Sequence, residues 1–513
     1  MAAILAANTG EASTVTELVL SPDQPTAAAI AEDPALADRT TFDLVITTTA
    51  DWTNSSLKFV LGEGSFYNAA DGDNVPTTPT QWNNPGLRHL RQDTFVAAPP
   101  DFTALPLVVG RHPADGTGPA IFSAGTVSVL WADTSSAYGP GTYTIARLTV
   151  SNDAVGAWYG STFDNSLPGT AQPFNGAINK QLRWDTDPLT SGAQGGAGTW
   201  NTVNNGFWNG AANVAWENAR NDVAIFGGSA GTVTVGTVAA SALRFETAGY
   251  TLAGGTIGLT GSGRIIAGQD ATISSTIASA VGLTKTGPGM LTLGGASTYS
   301  GVTRIEEGTL RVEDIAALGG TSAIQVVNNA RLDVDASGYL NAGMSLAGTA
   351  TVDIAPGQTV HAAGLDVQGL NVLDVDATFF CDGPMGISAG CRLTKTGDGA
   401  VTFGGPQTHG VDALLEVLGG TVNLVADAGS GGAANLSIDV MNATLNFDAN
   451  QHLDVLTIGD GGKVVLRGAR MVILNDLQIG GLDLGATVLT PEPTTFGLLA
   501  LGGLMAFLHR RRR

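Results

Sequence analysis

The chain has 513 residues, of which 6% are aromatic and 13% charged, and its 45 acidic side chains against 24 Lys plus Arg leave a net charge of −21. Such a surface repels phosphate backbones and excludes nucleic acid as a partner, while the low charge and abundant β-branched residues exclude disorder. The 70 glycines, nearly twice the usual share of about 7%, fall between short Val/Ile/Leu/Thr runs as turns between strands, so the expected class is all-β.

Length allows about two to four domains. Residues 1–14, "MAAILAANTGEAST", hold a short apolar run with no basic residue ahead of it, so they read as an unstructured or truncated leader rather than a complete signal peptide. Residues 15–165 alternate apolar and polar positions in "TFDLVITTT", "TVSVLWAD" and "TYTIARLTV", with Tyr143, Ile145, Leu148 and Val150 as the apolar set of the last. Long polar loops separate these strands, which fits an antiparallel β-sandwich. It looks like the jelly-roll or cohesin-like modules of secreted bacterial proteins, and no residue signature chooses between them. Residues 166–199, ending "TSGAQGGAGT", have linker composition.

From Trp200 the chain becomes short strands with glycine at nearly every corner: "GTVTVGTV", "ALRFETAGYTL", "GTIGLTG", "GRIIAG". Only "VEDIAALGG" at 312–320 has a helix-like period. Many short strands at regular spacing predict a solenoid over 200–485, each coil pairing its backbone with the next.

An internal repeat supports the solenoid. "LTKTGPGMLTLGGASTYSGVTRIEEGTLRV" (283–312) recurs as "LTKTGDGAVTFGGPQTHGVDALLEVLGGTVNL" (393–424), with "LTKTG" identical at a spacing of 110. The second copy keeps the front of the motif and loses its Tyr-x-Gly-x-Thr part. Leu283, Lys285, Gly287, Gly289, Leu291, Leu293, Tyr299, Gly301, Thr303, Ile305, Gly308 and Leu310 stand where the autotransporter-associated β-strand repeat has its pattern residues. The first copy resembles that repeat, and the resemblance implies a right-handed parallel β-helix of the passenger type found on secreted surface proteins. The repeats run almost directly into the C-terminal tail, without the many amphipathic strands of an outer-membrane barrel, so self-translocation is not expected.

The tail, 488–513, joins Pro491, Glu492 and Pro493 to the uncharged run Thr494–Leu508 (with Thr494, Phe496, Leu498, Leu499, Leu501, Leu504, Met505, Phe507 and Leu508) and ends on Arg510, Arg511, Arg512 and Arg513. As a helix the run would extend about 22 Å, short for a hydrocarbon core of about 30 Å. It would form a transmembrane segment that relies on bilayer thinning and arginine snorkelling, with the arginines held on the cytoplasmic side. Motif, apolar run and basic end together resemble the PEP-CTERM sorting signal of Gram-negative bacteria. That resemblance implies transient membrane insertion, cutting near the motif by an exosortase-type transpeptidase, and delivery to the cell surface or extracellular matrix. The alternative is an ordinary C-terminal anchor.

Other candidate chemistry is thin. Cys381 and Cys391 frame "CDGPMGISAGC" and could close a disulfide loop or stay as two free thiols. Gly227–Gly231, "GGSAG", matches a nucleophile elbow, but a strand rather than a helix is expected after Ser229. "DVDASG" begins like a calcium loop and lacks the closing Glu, with Met344 at that position; Asp333 and Asp335 are expected outward and Leu332 and Val334 inward. No motif calls for a metal or a cofactor. Trp200, Trp208 and Trp216, eight apart, could stack on sugars or plug the solenoid end, and the plug is favoured. The functional expectation is a non-enzymatic, structural or adhesive surface protein that meets extracellular polysaccharide. The rivals are a polysaccharide lyase or hydrolase, marked by a basic-plus-acidic cluster in one groove, and a carbohydrate-binding sandwich with an aromatic platform at Trp52, Trp82 or Trp131.

Overall fold

The structure is a computed structural model, and it describes residues 14–21, 23–48, 54–69, 87–97, 107–132, 141–163, 171–430, 432–467, 472–480, 482–483 and 487–489. The described chain is almost wholly β, with a single six-residue α-helix, Ala27–Glu32, among the described residues. It divides into two compact units: residues 1–193 with 207–214 and 220–224, and residues 194–206 and 215–219 with everything from 225 onward.

The first unit holds two antiparallel sheets. In one, Arg39–Thr48 lies between Thr14–Leu20 and Gly141–Ser151; in the other, Asn54–Glu63 lies between Thr126–Ala132 and Val155–Phe163. A single buried cluster draws on both, including Leu44, Ile46 and Leu148 from one sheet and Phe59, Val129 and Trp131 from the other. Alternation in "TYTIARLTV" slips between Ile145 and Leu148 because the pairing register shifts between Leu44 and Val45, a bulge that turns Ala146 inward as well. Arg147 is 1% exposed and makes a two-pronged contact with Asp43 at 2.7 and 2.9 Å, which compensates a charge that burial alone would disfavour.

Within the stretch expected as a linker, residues 171–178 and 181–184 form strands. Ala171–Ile178 pairs antiparallel with Val155–Phe163, and Gln181–Trp184 pairs with Phe207–Trp208. Composition missed this because "AQPFNGAI" carries Pro and Gly, which an edge strand tolerates.

The second unit is a β-solenoid of parallel strands. On the first face Leu293 pairs with Val312, Val312 with Val334, Val334 with Ile354 and Ile354 with Val375, so one coil takes 19 to 22 residues. A second face stacks Leu283–Thr286, Ser300–Ile305, Gly320–Asn328 and Gly343–Gly348. A third, seven-stranded face runs from Gly338–Tyr339 to Lys463–Leu466. The interior is a column of aliphatic side chains, because alternate strand positions point inward on every face. Gly364–Val375 serves two faces and turns the corner at Gly369, where φ is +126° and an added Cβ would lie 2.3 Å from the Gly348 carbonyl oxygen.

The helix-like period at 312–320 yields only a 3₁₀ turn, Ile315–Leu318, opened by the Asp314 side chain accepting from the Ala316 amide. At the far end, Leu482–Asp483 and Thr487–Leu489 fold back antiparallel on Val472–Ile479 and cover its outer edge. Among the described residues no helix is long and apolar enough to cross a membrane. The sorting motif Pro491-Glu492-Pro493, the apolar run 494–508 and Arg510–Arg513 lie outside the described residues.

Candidate functional site: repeat corners and solenoid faces

The repeat is best understood from inside the coil. Lys285 sits on a strand whose neighbours Leu283 and Ile305 point into the core, and it points there too, at 0% exposure. Its ammonium donates to the carbonyl oxygens of Gly287 (2.5 Å) and Gly289 (2.5 Å) in the corner that follows, and to Glu307 (2.8 Å) one coil on. Lys395 repeats the arrangement, donating to Gly397 (2.5 Å), Gly399 (2.8 Å) and Gly419 (3.0 Å). Each lysine thus ties its own corner to the next through hydrogen bonds to corner carbonyls, of which that of Gly399 also accepts from the Thr421 amide at 3.1 Å.

Burial pushes both lysines down to about 8, with Glu307 and Asp270 opposing it for Lys285, and Asp374, Asp398 and Asp376 opposing it for Lys395. The glycines of the motif make the cradle. A Cβ on Gly308 or Gly420 would lie 2.6 Å from the ammonium nitrogen, and both residues have positive φ.

The second half of the repeat forms another internal tie. Tyr299, 0% exposed, shares a hydrogen bond with the Thr303 hydroxyl (2.8 Å), which shares one with Thr321 (2.9 Å); Thr321 also donates to the Gly301 or Ala323 carbonyl (3.1 Å each). Burial raises the Tyr299 hydroxyl well above its ordinary range. In the second copy His409 occupies the position of Tyr299, sixteen residues past the Leu of "LTKTG". It is buried, held down to about 4 by burial, and its Nδ1 accepts from the Ile387 amide at 3.3 Å.

The two copies lie one face apart. Going down the second face from Lys285, the pairing passes through Ile305, Val326, Leu346, Val367 and Ile387 to His409. Lys395 instead stands on the first face, below Leu373 and Val352. The motif therefore encodes a corner with its clamp, and two different corners of the three-faced coil carry it.

Residues 283–312 match the passenger-associated-transport-repeat family. Residues 489–513 match the PEP-CTERM protein-sorting motif. Both resemblances read from the sequence are thereby borne out. The adhesin BmaC autotransporter of Brucella suis biovar 1 (strain 1330) is 34% identical over 303 residues, a match that covers 55% of this chain and 9% of that protein. The Lys285 and Tyr299 ties are what the transport repeat contributes to this solenoid.

The outer faces differ in character. On the first face the outward column runs Arg311, Asp333, Asp353, Asp374. Arg331 pairs with Asp333 and Asp353, and Arg311 with Asp335. Leu332 and Val334 point inward as expected. Burial, helped by Asp333, Asp374 and Asp376, raises the Asp353 carboxyl against the pull of Arg331. Among the described residues this set comes nearest to the acidic-plus-basic cluster of a lyase or hydrolase, but it lies on a flat ladder and its guanidinium groups are held by its own carboxylates. Among the described residues no group of three or more His, Cys, Asp or Glu side chains is placed to hold a metal ion. Ser229 lies in the turn before the strand Thr232–Val235, not before a helix.

The structure bears on two of the alternatives that the sequence left open. Cys381 and Cys391 form no disulfide: Cys381 points into the core at the end of Thr378–Cys381, where burial pushes its thiol up to about 12, while Cys391 is a separate, half-buried thiol in the corner before Arg392–Thr396. The tryptophans offer no ring to a glycan. Trp200 and Trp216, both 0% exposed, pack edge-to-face at 5.0 Å beside Phe226, and Trp208 is 9% exposed in the first unit. Their spacing of eight follows strand and turn lengths, not one shared surface. Trp131, likewise, is 0% exposed and donates to the Ala97 carbonyl at 2.8 Å, so it forms no platform; Trp52 and Trp82 lie outside the described residues.

Proposed function

We propose that this protein is an exported, non-enzymatic surface or matrix protein whose β-solenoid is a stiff adhesive stalk. The observation that carries this reading is the coincidence of a transport-repeat solenoid, tied internally by buried lysines, with a PEP-CTERM motif directly after its closing strand. The similarity to an autotransporter adhesin supports the adhesive role. The solenoid is taken as right-handed, the usual hand of parallel β-crossovers, and the two-sheet N-terminal unit as a β-sandwich. Trp200, Trp216 and Phe226 fill the first coils, which supports the plug over the sugar contact.

Export would proceed through an inner-membrane intermediate. Residues 494–508 would insert, Arg510–Arg513 would remain cytoplasmic, and an exosortase-type transpeptidase would cut near Pro491-Glu492-Pro493. Cell fractionation of a variant with these three residues replaced by alanine tests this reading. Full-length protein should accumulate in the inner membrane; release and processing at the parental level would overturn it.

A further inference from the structure

The third face carries a column of stacked rings that the first lacks. Its outward column runs Tyr339, His361, Phe380, Thr402, Asn423, Asn446, one residue per coil. The first three rings stack: Tyr339 on His361 with centroids 4.2 Å apart and planes at 23°, and His361 on Phe380 at 4.5 Å and 14°. Tyr339 ends the stack and is 60% exposed.

Polar groups flank the rings on both sides. Ser337 donates to the Gln358 side-chain oxygen at 2.8 Å at one end of the strands. At the other, the half-exposed Asp382 carboxylate lies 2.8 Å from His361 Nδ1, which fixes the imidazole in the stack. Further along, the Asn446 amide donates to Asn423 (2.8 Å) and the Asn423 amide to Thr402 (2.9 Å), while Arg467, paired with Asp448, also donates to Asn423 (2.8 Å).

We propose that this column is a binding site for a neutral hexose polymer, with a pyranose ring seated on the free face of Tyr339. This proposal rests on the adhesive reading above and gives it a ligand class. A pyranose has one face of C–H groups that packs on an aromatic ring, and a rim of hydroxyls that needs donors and acceptors in the plane around it. Tyr339 supplies the first, and Ser337 and Gln358, hydrogen-bonded to each other beside it, supply the second. A net charge of −21 and the carboxylate beside His361 select against polyuronates and other anionic chains.

Affinity electrophoresis of the full chain tests the proposal, with a soluble neutral β-linked glucan and a polygalacturonate cast in separate gels. The glucan should retard the parent protein, and the polygalacturonate should not. Tyr339→Ala should weaken retardation tenfold or more, Tyr339→Phe should keep it, and Asp333→Asn on the first face should leave it unchanged. Thermal melts separate binding from stability: if Tyr339→Ala also melts early, Gln358→Ala at an unchanged melting temperature must still weaken retardation. An unretarded parent, or a Tyr339→Ala protein retarded like the parent, overturns the site. Fractionation of cells producing Tyr339→Ala keeps the two readings apart, because that variant should still be sorted normally.

Discussion

Replacing Lys285 by Met keeps the length of the side chain and removes the ammonium from its cage. The carbonyls of Gly287, Gly289 and Glu307 then lose their partner. At about 1–3 kcal/mol for each buried group left unpaired, the mid-range loss is roughly 6 kcal/mol. Against it stands the relief of burying a charge. The shift from 10.5 to about 8 is about 2.5 units at 1.36 kcal/mol each, or about 3 kcal/mol. The net expectation at pH 7 is a loss of about 3 kcal/mol.

Denaturant unfolding measures the size of this loss, and amide hydrogen exchange should place it in the coils around 265–331 rather than along the whole solenoid. The pH dependence gives a second handle. The folded pKa lies below the unfolded one, so the unfolded chain binds the extra proton between about pH 8 and 10.5. The parent therefore gains stability over that window, by up to about 3 kcal/mol from this lysine, while the Met variant does not. The gap should widen with pH. A variant as stable as the parent at pH 7, or a gap that closes as pH rises, would refute the clamp.

Two further outcomes are expected. Thr303→Val should cost about 1–3 kcal/mol by leaving the Tyr299 hydroxyl and Thr321 short of a buried partner; a denaturation midpoint equal to the parent's would show that this tie carries no stability. Alkylation of the native protein at pH 8 should label Cys391 and spare Cys381, whose thiol is buried and pushed up to about 12. Equal labelling, or a two-proton mass gain on reduction, would contradict the free and unequal thiols.

How much was legible follows from the range of the interactions involved. The solenoid was readable because a coil is built from local strand and turn signals, and "LTKTG" announced the repeat. The inward Leu332 and Val334 beside outward Asp333 followed from strand alternation alone. The roles of Lys285 and Tyr299 were not readable, since a lysine between two threonines looks like a surface residue until the partner carbonyls, one of them from the next coil, are in place. The state of the cysteines and the role of the tryptophans were left undecided by the sequence for one reason. Sequence spacing says nothing of the face on which a side chain emerges, and Cys381, Trp200 and Trp216 all emerge inward. Ala171–Ile178 was hidden because its pairing with Val155–Phe163 outweighs a weak local preference.

By itself, the sequence determined the all-β class, the repeat and the sorting tail, because strand alternation, glycine corners and a contiguous signal are written within a few residues of one another. The tertiary structure decided which side chains face the core, how a repeat displaced by 110 residues lands one face over, and that Tyr339, His361 and Phe380 meet as one stack. Those contacts join residues about 20 apart in the chain but one strand spacing, about 4.8 Å, apart in space. That juxtaposition depends on the length of every intervening corner, which no local pattern fixes.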